Sequence, residues 1–247
     1  MSNGNSGHRL PREPAEAADA LREDAHFGMG FLSERWRRLL LLFAGLLLPL
    51  WGFGALAEEL HEGEVFAFDA PLLLFARELA SHGFDRFFVA ISALGYEWGV
   101  VPVDLVLIAW LGLKRWKREG LFAGLALGGS ALLNLATKQW FARERPSLWA
   151  SIAPETTYSF PSGHAMGSMT LASVAVMLAW HTRWRVPVSL AGMAFVVLVG
   201  MSRVYLGVHY PSDILAGWCA AGAWAVACYL LVFRERGPWR DASSVSR

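Results

Sequence analysis

Six long apolar stretches, separated by short polar segments, account for most of the chain after residue 33. The first runs from Leu39 to Ala57 without a charged residue, and nineteen residues of helix are enough to cross a bilayer core of about 30 Å. The other five follow in order: Phe87–Leu113, Gly120–Phe141, Ala165–Trp180, Val186–Met201 and Pro211–Phe233. The pattern predicts a polytopic membrane protein with six spans and both termini on one side.

Two apolar segments depart from this simple pattern. The second stretch is interrupted at residues 95–99, where Gly-Tyr-Glu-Trp-Gly stands between its apolar halves. The segment Phe66–Leu79 carries Asp69, a proline and two further charged residues, so it is too short and too charged to span a bilayer. We predict that this segment is an amphipathic helix lying on the membrane surface.

The ends of the chain differ in composition from the membrane region. Residues 1–33 mix Gly, Pro, Ala and charged residues and contain no long apolar run, which predicts disorder. We therefore expect three parts. These are a disordered cytoplasmic tail at 1–33, a six-helix membrane domain at 34–240 and a short cytoplasmic tail at 241–247.

The first apolar stretch has a second interpretation. Basic residues precede it and Ala55-Leu56-Ala57 close it, as in a secretory signal peptide with its cleavage site. The polar lead-in is far longer than in most signal peptides, and the apolar run is longer than a usual signal core. These lengths favour a retained membrane anchor over a cleaved segment.

Composition excludes several classes of protein for the bulk of the chain. Of the 247 residues, 55% are hydrophobic and only 17% are charged, against about 25% in a soluble domain. Mean hydropathy is +0.36. These values exclude intrinsic disorder, a collagen-like chain and a disulfide scaffold. A net charge of +1 provides no basic field, so we expect no nucleic acid partner.

Basic residues are distributed unevenly between the two sides of the membrane. Twelve lysines and arginines flank the spans on the side of the termini, and six lie on the opposite side. Because basic loops stay in the cytoplasm, we predict cytoplasmic termini. The protein is then expected in the inner (cell) membrane of a bacterium, with its opposite face toward the periplasm or the outside.

Three short polar blocks lie at the predicted outer ends of spans three to six. They are residues 138–146 (KQWFARERP), 160–164 (FPSGH) and 202–213 (SRVYLGVHYPSD). Ionisable groups at or within membrane spans are costly and usually functional. Three cations, two histidines and a carboxylate at a single face therefore indicate a site for chemistry.

The cations of these blocks are suited to bind phosphate. An arginine presents a planar fork that matches phosphate oxygens, and a lysine adds a point charge. Lys138, Arg145 and Arg203 together can therefore neutralise a phosphate dianion. Ser162 and Gly163 directly precede a predicted helix, whose unpaired N–H groups favour an anion. The pattern predicts an oxyanion site.

The two histidines have the chemistry of a nucleophile and an acid. A neutral imidazole can attack phosphorus, and a carboxylate on its other nitrogen maintains the required tautomer. Asp213, in the first turn of span six, is close enough to His209 for that hydrogen bond, and His164 can protonate the leaving oxygen. No spacing of His, Cys, Asp or Glu resembles a metal site, so we expect metal-independent chemistry without a cofactor.

Together the blocks resemble the signature of the type 2 phosphatidic acid phosphatase superfamily, which reads K-x6-RP, PSGH and SR-x5-H-x3-D. The resemblance implies an all-α membrane fold, a six-transmembrane-helix bundle of the acid phosphatase/vanadium haloperoxidase type. It also implies that His209 is the nucleophile, Asp213 its partner and His164 the general acid. The remaining signature residues would hold the phosphate: Lys138, Arg145, Ser162, Gly163 and Arg203.

The implied function is hydrolysis of a lipid phosphate or diphosphate at the outer membrane face through a phosphohistidine. Orientation and small size favour undecaprenyl diphosphate, with phosphatidic acid and phosphatidylglycerol phosphate as close competitors. Two alternatives stay open: a phosphotransferase that passes the phosphate to another lipid such as lipid A, and a non-catalytic membrane protein. The expected partners are the lipid substrate and the bilayer, and the oligomeric state is left undetermined.

Four polar residues near these blocks receive structural interpretations. Arg143 and Glu144 are interpreted as a solvated loop pair, with tuning of the phosphate pocket as the alternative. Asn134 lies one helical turn before Lys138, where it either orients that lysine or makes an interhelical hydrogen bond. Asp104 is expected to be satisfied by a neighbour in the bundle, with selection of the lipid headgroup as the alternative.

Overall fold

The computed structural model describes residue 36, residues 39–234 and residues 237–239. The tails predicted at 1–33 and 241–247 lie outside these residues. The chain separates into two compact units, Met1–Phe43 and Ala44–Arg247. The features that follow belong to the second unit, apart from the first residues of the first span.

All the regular secondary structure in the described part of this unit is helical, and this part contains no β-strand. A π-helical turn, Phe43–Leu47, leads into the first α-helix. The α-helices are α1 (Leu48–His61), α2 (Asp69–Glu78), α3 (His82–Leu94), α4 (Val100–Leu113), α5 (Lys117–Phe141), α6 (Gly163–Ala179), α7 (Arg185–Tyr205) and α8 (Pro211–Val232). The predicted all-α fold is confirmed.

Among the residues that the structure describes, four helical segments are long and apolar enough to cross a membrane. They are Leu39–His61, which contains α1, and the helices α5, α7 and α8. The apolar helices α4 and α6 are shorter, with 14 and 17 residues. The protein is an integral membrane protein, as predicted. The presence of six spans remains a prediction.

The second predicted span, 87–113, is two helices and not one. Helix α3 ends at Leu94 and α4 begins at Val100. The turn between them is so tight that a Cβ atom on Gly99 would lie 2.1 Å from the Leu94 carbonyl oxygen. This turn requires glycine at position 99. The polar interruption at 95–99 is therefore the point at which the apolar stretch divides into two helices.

Helix α6 lies at the centre of the bundle and packs against α4, α5, α7 and α8. Its sequence is rich in Gly, Ala and Ser, which allow membrane helices to approach closely. Thr170 of α6 donates a buried hydrogen bond to Ser130 of α5 across 2.8 Å. The outer faces expose large apolar side chains such as Trp51 and Leu132, as expected for contact with lipid.

The helix predicted at 66–79 is present as α2, but its first residue lies inside the protein. Helix α2 packs against α7 and α8. Asp69, at the start of α2, and Leu73 are both buried. The burial of Asp69 was not anticipated, and it brings a carboxylate to the same end of the bundle as the three polar blocks.

Candidate active site

The three polar blocks meet at one end of the bundle. Lys138 lies in the last turn of α5 and Arg203 in the last turn of α7. Ser162 is the residue that caps α6, and Asp213 lies in the first turn of α8. Contacts among their side chains and His209 place the ends of α5 and α7 beside the starts of α6 and α8.

His209 and Asp213 form a fully buried pair. His209 Nδ1 lies 3.3 Å from Asp213 Oδ2, which also accepts the Tyr210 amide hydrogen at 2.9 Å. The second bond belongs to a capping box, in which the third residue of a helix reaches back to the residue before its start. The start of α8 therefore holds the carboxylate, and the carboxylate orients the imidazole.

One guanidinium group contacts the outer nitrogen of His209, and a second is buried in the same site. Arg145 Nη1 is 3.0 Å from His209 Nε2, and buried Arg203 donates from Nη1 to Ser92 of α3. Burial, reinforced by the positive charges of Arg203 and Arg145, lowers the pKa of His209 well below its ordinary value. The imidazole is therefore neutral at pH 7, and one of its ring nitrogens retains a free lone pair.

Lys138, the third cation, contacts the loop that joins α5 to α6. Its Nζ donates to Thr157 Oγ1 at 2.8 Å. Arg145 Nε donates to the Thr157 carbonyl oxygen at 2.6 Å. Thr157 thereby contacts two of the three cations that are predicted to bind phosphate.

Glu155, which the sequence analysis missed, lies between the two arginines. Its Oε1 accepts a hydrogen bond from Arg203, and its Oε2 accepts one from Arg145 Nη2 at 2.6 Å. Oε1 also lies 3.8 Å from His164 Nδ1. The Glu155 carboxylate is therefore hydrogen-bonded to both arginines that the signature resemblance assigns to phosphate binding.

Charge keeps this carboxylate ionised. Burial by itself raises the pKa of Glu155, but the positive charges of Arg203 and Arg145 outweigh that effect and bring the pKa below its ordinary value. A sequence signal for the residue existed in the length of its loop, 142–162. Loops longer than about 15 residues without secondary structure are usually functional.

The second block begins helix α6. Ser162 Oγ accepts the Ala165 amide hydrogen at 3.4 Å, and the Ser162 amide donates to the Asp213 carbonyl oxygen at 3.1 Å. Ser162 thus joins the start of α6 to the start of α8, and its contact with phosphate remains a prediction. The His164 ring packs against Tyr96, with 5.1 Å between ring centroids.

Asn134 of α5 contacts the second block and the first turn of α6. Its Nδ2 donates to the Pro161 carbonyl oxygen at 3.1 Å and contacts Met166 Sδ of α6 at 3.2 Å. Of the two roles predicted for Asn134, the structure shows the bond to a neighbouring element. A Cβ atom on Gly163 would lie 2.9 Å from Asn134 Oδ1, so a side chain at position 163 would have to displace Asn134 or the start of α6.

The interpretation of Arg143 as half of a solvated loop pair is wrong. Its side chain is only 11% exposed, and Nη1 donates to Asp213 Oδ1 at 2.5 Å. Nη2 donates to Asp69 Oδ2 at 2.9 Å. Glu144 is exposed, as expected. The error arose because the partners of Arg143 lie on α2 and α8, far from it in sequence.

The default interpretation of Asp104 is also wrong. Its Oδ1 atom is buried and has no hydrogen-bond partner within the described part of the chain. The α4 residues one turn before and one turn after Asp104 are all apolar, so none of them offers a side-chain donor to this oxygen.

Comparison with known proteins decides the family. The sequence profile of the PAP2 superfamily matches residues 119–236. Phosphatidylglycerophosphatase B of Bacillus subtilis is 32% identical over 171 residues, which cover 67% of this chain and 84% of that protein. The chain belongs to the PAP2 superfamily. An undecaprenyl-diphosphatase of Sulfolobus acidocaldarius is 32% identical over 141 residues, covering 55% of this chain and 64% of that protein.

A solved structure agrees with this PAP2 membership. The crystal structure of a transmembrane PAP2-type phosphatidylglycerolphosphate phosphatase from Bacillus subtilis superposes with a TM-score of 0.65 and 29% identity, covering 75% of this chain and 92% of that chain. The signature resemblance is thereby confirmed, and all three blocks lie within the matched residues. The protein is a membrane phosphatase of the lipid-phosphate class.

The close approach at Gly163 makes a prediction for this PAP2 phosphatase. We expect Gly163→Ala to lower kcat/KM about 10- to 100-fold, because the methyl group displaces either Asn134 or the start of α6, and misplacement of a site by about 1 Å costs roughly that much. Steady-state hydrolysis of a lipid phosphate by the purified protein measures the effect.

A matched glycine on α5 provides the control. A Cβ atom on Gly128 would meet nothing within 4 Å, so Gly128→Ala is expected to leave both activity and thermal midpoint unchanged or slightly improved. Equal activity of the two variants would contradict the role given to the Gly163–Asn134 contact.

Proposed function

We propose that this protein removes phosphate from a membrane lipid through a phosphohistidine formed on His209. The observation that carries the proposal is the buried His209–Asp213 pair, whose Nε2 atom lies 3.0 Å from Arg145 at the end of an apolar helical bundle. A neutral imidazole held in one tautomer, beside a cation, is equipped to attack a phosphate.

In the first step, the Nε2 lone pair of His209 attacks phosphorus and the bond from phosphorus to the leaving oxygen breaks. His164 gives the leaving oxygen a proton. Asp213, 3.3 Å from Nδ1, stabilises the positive charge that develops on the imidazole. Arg145, Arg203 and Lys138 balance the charge of the transferring phosphoryl group.

In the second step, water attacks the phosphohistidine. The phosphorus–nitrogen bond breaks, its electron pair returns to Nε2, and His164 takes a proton from the water. Inorganic phosphate leaves, and His209 and His164 recover the states in which they began. Ser162 and Gly163 contribute the start of α6, whose N–H groups favour the anion.

Two substrates are proposed on the strength of the named relatives. Phosphatidylglycerol phosphate and undecaprenyl diphosphate both present a terminal phosphate at the membrane surface, and the site residues are suited to that terminal group. The exposed apolar faces of the helices are suited to the lipid tails. Phosphatidic acid shares this chemistry and is the third candidate.

We also propose that the site faces the periplasm or the outside, with cytoplasmic termini and six spans. The support is the excess of basic residues on the side of the termini. A reporter that is active only outside the cytoplasm, fused to the C-terminus, tests the orientation. Reporter activity would overturn it.

The packing of α1 against α8 favours the retained anchor over a cleaved signal peptide.

The function is tested with the full-length protein purified in detergent. Phosphatidylglycerol phosphate, undecaprenyl diphosphate and phosphatidic acid are offered separately, with EDTA present to remove divalent metals. We expect release of inorganic phosphate from at least one of them and no loss of rate with EDTA. The ratio of kcat/KM values identifies the preferred lipid.

Two outcomes would count against the proposal. No release from any of the three lipids would contradict hydrolysis of these lipids, and supply of lipid A as acceptor would then test the phosphotransferase alternative. Release that EDTA abolishes would contradict the metal-independent mechanism.

A further inference from the structure

A buried polar network outside the signature surrounds Asp213. Arg143, from the loop after α5, bridges two carboxylates that lie far apart in sequence. Its Nη1 is 2.5 Å from Asp213 Oδ1 and its Nη2 is 2.9 Å from Asp69 Oδ2. The Asp69 side chain is 2% exposed and that of Asp213 is fully buried. Buried charges of this kind are costly unless each one is paired.

Asp69 also holds the first turn of α8. Its Oδ1 accepts the Ser212 amide hydrogen at 2.9 Å, and its Oδ2 accepts the Ser212 hydroxyl hydrogen at 2.6 Å. The first amides of a helix lack partners within that helix, and an acceptor there satisfies them. Asp69 therefore acts as a cap for α8 that is supplied by α2, and its negative charge suits the positive end of the α8 dipole.

The network leaves Asp213 little freedom. One carboxylate oxygen, Oδ2, faces His209 Nδ1 and the Tyr210 amide, while Oδ1 is held by Arg143. The Arg143 guanidinium stacks over the Tyr210 ring at 4.1 Å from its centroid. The direction in which Asp213 presents Oδ2 to the imidazole is thus determined by a guanidinium that the substrate phosphate does not need to contact.

We propose that Asp69 and Arg143 are positioning residues, which act through Asp213 to keep His209 in the Nδ1–H tautomer with Nε2 ready for attack. The proposal rests on the function proposed above, since it gives these residues a role in that reaction. Helix α2 also has a role in this arrangement, because its residue Asp69 binds both Arg143 and Ser212 at the start of α8.

The kinetic test uses Asp69→Asn and Arg143→Lys in the full-length protein, because both changes preserve size and most of the packing. We expect kcat to fall about 10- to 100-fold, since the imidazole is no longer held in one orientation. KM should stay within about twofold, because Arg145, Arg203 and Lys138 are unchanged. Arg143→Ala should lose more than Arg143→Lys, which retains the charge.

A second measurement does not depend on turnover. In protein labelled with ¹⁵N-histidine, the ring nitrogen signals report which nitrogen carries the proton, and His209→Gln identifies the His209 signals by their loss. We expect a single Nδ1–H tautomer in the wild type and a mixture of the two neutral tautomers in Asp69→Asn and Arg143→Lys.

Glu144→Gln is the matched control, because Glu144 neighbours Arg143 in the chain but its side chain is exposed. It should leave kcat, KM and the tautomer unchanged. A rise in KM with unchanged kcat, or a single Nδ1–H tautomer retained in both variants, overturns the positioning role. An inactive wild type would instead refute the proposed function, and the tautomer measurement would still decide the inference.

Discussion

Replacement of His209 by alanine is expected to lower kcat by at least about 10⁴-fold, the scale of loss when a nucleophile is removed from an enzyme. The reason is the arrangement at Nε2. Burial and two nearby guanidinium groups keep the imidazole neutral, and Asp213 holds its opposite nitrogen. The measurement is release of inorganic phosphate by the purified variant from the lipid that the wild type prefers.

His164→Ala should behave differently from His209→Ala. With a lipid phosphate, whose leaving alkoxide needs a proton, we expect kcat to fall about 10²- to 10⁴-fold. With p-nitrophenyl phosphate, whose leaving phenolate needs none, the first step should be nearly unaffected and a burst of nitrophenol should appear. Dependence on the leaving group separates an acid from a nucleophile.

His61→Ala serves as the control for both histidine variants. His61 is exposed at the end of α1, and its replacement should leave the rate unchanged. If His209→Ala keeps more than about one hundredth of the wild-type rate, the phosphohistidine on His209 is wrong. If His164→Ala gives no burst of nitrophenol, the first step does not depend on the leaving group and His164 is not the acid.

Opposite effects on phosphate binding are expected from Arg203 and Glu155. Arg203→Lys should lower kcat/KM about 10²- to 10³-fold, because a point charge cannot replace a buried guanidinium fork that bonds both Ser92 and Glu155. Its inhibition constant for inorganic phosphate should rise. Competition between inorganic phosphate and the lipid substrate measures both quantities.

Glu155→Gln should tighten the binding of inorganic phosphate about tenfold at pH 7. The carboxylate is bound to Arg203 and Arg145, so a phosphate must displace it or share the guanidinium groups with it. Since those charges hold the pKa of Glu155 below its ordinary value, the competing negative charge is present throughout the neutral range. Removal of one such charge at short range is worth about 1–4 kcal/mol.

Whether Glu155→Gln tightens or weakens phosphate binding tests whether the carboxylate competes with phosphate for the arginines. Glu144→Gln makes the same chemical change in the same loop at an exposed position, and it should leave the inhibition constant unchanged. Weaker phosphate binding in Glu155→Gln would mean that the carboxylate organises the arginines for phosphate and does not compete with it.

The sequence predicted the parts of the site that are carried by short spacings. His209 and Asp213 are four residues apart, so the start of one helix suffices to bring them together. The PSGH block similarly predicts a helix start, and α6 begins at Gly163. Within the second predicted span, the sequence showed the polar interruption at 95–99, but the turn at Gly99 that separates two helices depends on backbone contacts that hydropathy does not report.

By itself, then, the sequence determined the membrane-embedded helical fold, the family and the signature residues, because hydropathy and motif spacing are local properties of the chain. Only the tertiary structure decided the partners of Arg143, Asp69 and Glu155. Arg143 and Asp69 are 74 residues apart in the sequence, and Ser212 and Asp69 are 143 residues apart. Such contacts arise from how helices pack, and a single charged residue carries no local signal of which distant helix it will meet.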